Sequence, residues 1–99
     1  MASYLKDKKI ELCREDEEQV EKRVTVLWAY YRQASSNEKY TAMTYKYQID
    51  AIFVINYRED INPLTDVIKF RGKKYAITSV DDYEGGKKDL KIMARYIGR

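Results

Sequence analysis

Between Tyr45 and Arg58 the chain alternates apolar and polar residues with a period of two. Tyr47, Ile49, Ala51, Phe53, Ile55 and Tyr57 fall on one face; Lys46, Gln48, Asp50, Asn56 and Arg58 fall on the other, interrupted by Ile52 and Val54. Successive side chains of a strand point to opposite faces, so this alternation predicts a half-buried β-strand. Fourteen residues is long for one strand and predicts strong twist, a bulge or an extension beyond the body of the domain. The same alternation closes the chain as a meander. Its strands are Asp66–Arg71, Lys74–Val80 and Asp89–Ile97, with tight turns at Gly72 and Gly85-Gly86. Ile68 and Phe70 are expected to pair with Tyr75 and Ile77 across the first turn. Leu90, Ile92, Ala94 and Tyr96 supply the last inward face.

Two earlier segments also read as strands. Lys9–Arg14 sets Ile10 and Leu12 against Glu11 and Cys13. Val24–Arg32 carries Val24, Val26, Trp28 and Tyr30 on one face and Thr25, Leu27, Ala29 and Tyr31 on the other. Apolar residues on both faces predict a central strand or one covered on both sides, with Trp28 as a core anchor. Phe53, Ile68, Phe70, Tyr75, Ile77, Leu90 and Ile92 are the other expected anchors. Glu15 to Gln19 is an acidic run, either a hairpin turn or one turn of helix. Ser35 stands three residues before Glu38, the capping-box spacing, which predicts a short helix or a mobile loop at 36–44. Pro63 pushes Asn62 out of helical geometry and marks a turn at 59–65. Six strands, one short helix and no strand–helix alternation predict a mainly β, small α+β fold. It is a compact antiparallel barrel or a two-layer sandwich, and 1–99 reads as a single domain.

Composition narrows the function. Apolar residues are 44% and charged residues 35% of the chain, and no apolar run approaches the roughly 20 residues of a spanning helix, so the expectation is a globular chain with no membrane association. The N-terminus lacks the apolar stretch of a secretion signal. The single cysteine, Cys13, forms no internal disulfide, which fits a reducing cytoplasm, and it reads as a packing residue. Without histidine the usual catalytic base and the commonest metal ligand are missing, and no phosphate-binding glycine motif is present. The acidic run lacks the central Gly of a calcium loop. The chain therefore reads as a non-enzyme with no cofactor or metal. Ten tyrosines fit strand filling, with interface use for some. Residues 67–99 hold nine Lys/Arg against four Asp/Glu, and residues 1–66 hold ten against twelve; the surplus reads first as a solvated face.

Taken in order, these segments resemble the head–tail adaptor, or head-closure (stopper), family of long-tailed double-stranded DNA bacteriophages. The matching pieces are Val24-Thr-Val-Leu-Trp28-Ala29, the Ser35-Ser36-Asn37-Glu38 start of the helical region, and Ile55-Asn-Tyr57-Arg58. They continue with the hairpin Asp66-Val-Ile68-Lys-Phe70-Arg-Gly72-Lys-Lys-Tyr75-Ala-Ile77 and with Leu90-Lys-Ile92-Met-Ala94. The likeness covers roughly residues 9–97, and the hairpin is its most specific part. The short acidic link at 15–21 departs from it, since many members carry a longer Gly-containing hairpin there.

The resemblance implies a structural virion protein, made in the bacterial host cytoplasm and placed at the head–tail junction. It implies a monomer when free and a ring, twelvefold by expectation, on assembly below the portal, closing or lining the DNA channel and meeting portal, adaptor and tail proteins. Packaged DNA would lie nearby without sequence-specific binding. Tyr40, Met43, Tyr45 and Tyr47, in or beside the 35–46 region, are the expected neighbour or lumen contacts, and that region is expected to order on assembly. Two rivals stand beside this reading. One is a small barrel binding nucleic acid through Lys73, Lys74, Tyr75, Arg95 and Tyr96; the other is a tail-completion protein of related fold.

Overall fold

The computed structural model describes residues 5–15, 18, 20–44, 48–83 and 85–98, with the side chains of 41–43 left aside. Six strands and a helix follow in the order β1 (Lys8–Glu15), β2 (Glu21–Gln33), α1 (Ser36–Thr44), β3 (Ala51–Asn56), β4 (Asp66–Phe70), β5 (Lys73–Asp81) and β6 (Asp89–Gly98). Of the two architectures the alternation allows, the chain forms the barrel. Its strands close in the order β1-β2-β3-β6-β5-β4, every neighbouring pair antiparallel. Closure pairs Glu11–Arg14 of β1 with Asp66–Lys69 of β4, so the meander's outer edge is covered rather than exposed.

Aromatic rings fill the barrel interior. Phe53 of β3 stands edge-on to Phe70 and Tyr75, with centroids 5.6 and 5.5 Å away, and Tyr31 tilts against both Phe53 and Phe70. Ile10, Leu12, Ile68, Ile77, Leu90, Ile92 and Ala94 complete this core. A smaller cluster lies on the other side of β3, where Ile52 and Val54 pack with Ala34, Ile49, Tyr30 and Met93. β3 is therefore buried on both faces, which explains why Ile52 and Val54 break the polar side of its alternation.

Several expectations need correction. The long strand from Tyr45 shortens to Ala51–Asn56; residues 45–47 lie outside the described residues, and 48–50 are not strand. The β2 ladder ends at Gln33, opposite Ala51, and one further backbone hydrogen bond, from the Ala34 N–H to Asp50 C=O at 3.0 Å, continues that side. Asp50 still donates its N–H to Ala94 C=O. In the meander, Ile68 does lie opposite Tyr75, but Phe70 faces Lys73 and Ile77 faces Ala94 of β6. The two-residue turn sets this register. Arg71 and Gly72 both have positive φ, 52° and 74°, as a type I′ hairpin requires.

Trp28 is not a core anchor. It is 59% exposed, while its neighbour Ala29 is fully buried. Both faces of β2 are apolar, so periodicity did not choose between them. Interior packing did: with Phe53, Phe70 and Tyr75 buried inside and Tyr31 packed against them, the small Ala29 takes the inward place and the larger Trp28 the outward one. β2 is accordingly not covered on both sides along its first half.

Candidate docking surfaces

The outward side of β2 presents an apolar stripe. Trp28 stands opposite Lys9 and Val26 opposite Glu11 on β1, and Val24, at a register shift, is exposed. β2 pairs with β1 from Glu21 to Ala29 but with β3 only from Tyr30 to Gln33. Arg23–Trp28 thus has one strand neighbour among the described residues. An exposed tryptophan beside a half-paired strand is an uncommon use of apolar surface in a lone monomer, and Trp is enriched where proteins anchor to partners.

A second apolar point is held far more tightly. Leu64 is 93% exposed at the tip of the β3–β4 connection. Beneath it lies Asp66, whose carboxylate is fully buried. Oδ1 accepts from Arg14 Nε at 2.7 Å and from Thr65 Oγ1 at 3.2 Å; Oδ2 accepts from Arg14 Nη2 at 3.1 Å and from the Asn62 N–H at 2.8 Å. Arg14 Nη2 also donates to Asp60 C=O at 2.8 Å. Asn62 Oδ1 accepts the Leu64 N–H, and Asn62 C=O accepts the N–H groups of Thr65 and Asp66. Pro63 fixes the backbone between them. The hydrogen bond to Asp66, together with its charge, raises the Arg14 pKa. The turn is thus fastened to β1 and presents a leucine side chain to solvent.

The third surface is the barrel mouth at the β4–β5 turn. Tyr31, Gln33, Lys39, Asp50, Lys73, Tyr75 and Tyr96 line a recess of about 360 Å³. Lys73 Nζ lies 6.0 Å from the Tyr96 ring centre, and Tyr96 stands edge-on to Tyr75 at 5.9 Å. Burial first, with Tyr31 next, raises the Tyr75 phenol pKa. The nucleic-acid reading therefore finds Lys73, Tyr75 and Tyr96 together, but Tyr75 is buried among core rings and offers no stacking face. Lys74 is tied, with Lys69, to Glu21. Arg95 sits opposite Ala76, next to buried Ala94 in sequence and so on the outer side of β6.

α1 carries the predicted capping box. Glu38 N–H donates to Ser35 Oγ at 3.1 Å, and Ser35 N–H donates to Glu38 Oε1 at 2.9 Å. Arg32 grips the same carboxylate through both terminal nitrogens, and Lys91 Nζ lies 3.6 Å away. The Arg32 hydrogen bonds are the main reason that the Glu38 pKa falls to about 2. The helix start is thereby pinned to β2 and β6. Tyr40 is 75% exposed on it. The Met43 side chain, Tyr45 and Tyr47 lie outside the described residues. Phe53, Ile68, Phe70, Tyr75, Ile77, Leu90 and Ile92 are all buried. Sequence reasoning missed Leu64 and Asp66. An acidic residue at the inward parity of Asp66, Ile68 and Phe70 was the available signal for a buried carboxylate.

No helix among the described residues is long and apolar enough to cross a membrane. Residues 14–96 match the sequence profile of a family described as phage head completion protein. No curated protein matches the chain.

Proposed function

Because this chain belongs to the phage head completion protein family, we propose that it is a structural part of the phage neck. It assembles as a ring, twelvefold by expectation, below the portal, closes or lines the DNA channel, and joins head to tail. It makes and breaks no covalent bonds. Its work is docking to portal or adaptor above, tail below, and copies of itself alongside. The observation that carries this reading is Trp28. It is the chain's one tryptophan, and it is spent on the surface of β2 rather than in a core already built around Phe53, Phe70 and Tyr75. Leu64 is a second anchor on a turn rigid enough to lose little entropy on docking. Tyr40 marks the 36–46 stretch as the part facing a neighbour or the lumen, with Met43, Tyr45 and Tyr47 as its remaining contacts.

The test is complementation. A phage lacking this gene should yield filled heads without tails, and supplying the wild-type chain should restore infectious particles. W28A, checked to fold, should be soluble but restore few. Normal tailed particles from the deletion phage would remove the proposal.

A further inference from the structure

The two ends of the barrel carry opposite charge. At one end lie the β1–β2, β3–β4 and β5–β6 connections, where Glu15, Glu59 and Asp81 are exposed. Of the cations there, Arg58 is tied to Asp60 and Arg14 to Asp66, Lys22 flanks the β1–β2 connection, and Lys87 and Lys88 stand on the β5–β6 connection. At the other end Lys39 and Lys73 are exposed at the tyrosine-lined mouth, and Arg71 is exposed on the adjoining β4–β5 turn, where Asp7, bonded to Lys8, lies in its field. Asp50, the one carboxylate among the described residues lining that recess, is already engaged. Its Oδ2 accepts from Gln48 Nε2 and from the Tyr96 N–H, both at 2.8 Å.

We propose that neighbouring copies in the ring, whose existence rests on the function proposed above, meet end to end. The acidic connections of one barrel dock against the basic mouth of the next. The occupant of the mouth is thus a second copy of this chain. Complementary charge on opposite ends of one molecule favours head-to-tail contact and disfavours mouth-to-mouth contact, which would set like charges together. A head-to-tail contact is heterologous, so repetition closes a ring when its rotation divides a full turn. Contacts of exposed charges are individually weak and screened by salt, which fits a chain that stays monomeric until a template gathers copies.

Zero-length carbodiimide coupling joins a lysine amine to a carboxylate only when the two touch. It is applied to concentrated protein, mixed from isotope-labelled and unlabelled chains, and read by mass spectrometry. Intermolecular links should join Lys39 or Lys73 to Glu15, Glu59 or Asp81. Their yield should fall severalfold between about 0.05 and about 0.5 M salt, as the Debye length shrinks. Two reversed variants, K39E/K73E and E15K/E59K, each verified as folded by circular dichroism, should lose the links alone. Mixing the two variants should restore intermolecular links between the same positions. Absence of intermolecular links, links from the mouth to other sites only, or mouth lysines protected only by an added DNA duplex would overturn the proposal. Rings in phage necks built through other surfaces would overturn it too while leaving the proposed function intact; a chain absent from necks would remove both.

Discussion

Replacing Asp66 with Asn isolates the charge of the buried carboxylate, since the two side chains have nearly the same shape. Each Asp66 oxygen accepts two hydrogen bonds, one of them from Arg14. An Asn keeps one oxygen and turns the other into a donor. With the amide nitrogen at the Oδ2 position, it opposes both Arg14 Nη2 and the Asn62 N–H. The reverse orientation is better, because the Thr65 hydroxyl can rotate to accept while only Arg14 Nε is opposed. Losing one charge-assisted bond and weakening its partner costs about 3 kcal/mol. At a slope of about 1.5 kcal/mol per molar urea, the unfolding midpoint falls by about 2 M. The assay is urea unfolding followed by far-ultraviolet circular dichroism, because the exposed Trp28 is a poor reporter of the core. T65V, which loses a single 3.2 Å bond, should fall about 1 kcal/mol. Native-state amide exchange should also quicken at Leu64 and Asp66, whose N–H groups bond to Asn62. D66N within about 0.5 kcal/mol of the parent, the range of an ordinary surface substitution, would refute the reasoning.

Four further outcomes follow from the same contacts. W28A should change stability by less than about 0.5–1 kcal/mol, whereas F53A should cost about 3–5 kcal/mol, and a Trp28 variant as damaging as F53A would contradict the outward orientation. The low Glu38 pKa contributes stability that is complete above the ordinary carboxylate value of 4.5 and lost as pH falls through about 2; discounted for the partly exposed pair, this is about 1–2 kcal/mol, and melts from pH 6 to pH 2 should show a shallower acid limb in E38Q. Burial chiefly raises the Cys13 thiol pKa, so alkylation of native protein should be slow and should accelerate in urea; rapid labelling of folded protein would contradict the buried position. Trp28 fluorescence, water-exposed in the free chain, should shift to shorter wavelength on neck assembly, and an unchanged emission maximum would argue against Trp28 as an anchor.

The meander was readable because each of its strands has one face in the core and one in solvent, and strict alternation then encodes both strand and orientation. β2 shows where that code fails. With Val24, Val26 and Trp28 on one side and Leu27, Ala29 and Tyr31 on the other, only the space left by rings from β3, β4 and β5 decides which side turns in. The overlong third strand has a similar origin, since hydrophobic alternation continues to Tyr47 while the β2 ladder ends at Gln33 and a single backbone bond, Ala34 N–H to Asp50 C=O, follows it. The capping box at Ser35 and Glu38 was legible because its members are three residues apart. The clasp under Leu64 was not, because Arg14 and Asp66 lie 52 positions apart and meet only when β1 and β4 close the barrel. The charge division between the barrel ends was invisible for the same reason. It follows from which connections share an end, and the chain order interleaves them.

The central claim is that this barrel serves as a docking piece in the phage neck. A cryo-electron microscopy reconstruction of the head–tail junction tests it most directly. Six-stranded barrels of this chain should stand as a ring between portal and tail, with Trp28 and Leu64 covered by neighbouring protein. A fully occupied neck without this chain, or one in which both side chains remain in solvent, would contradict it.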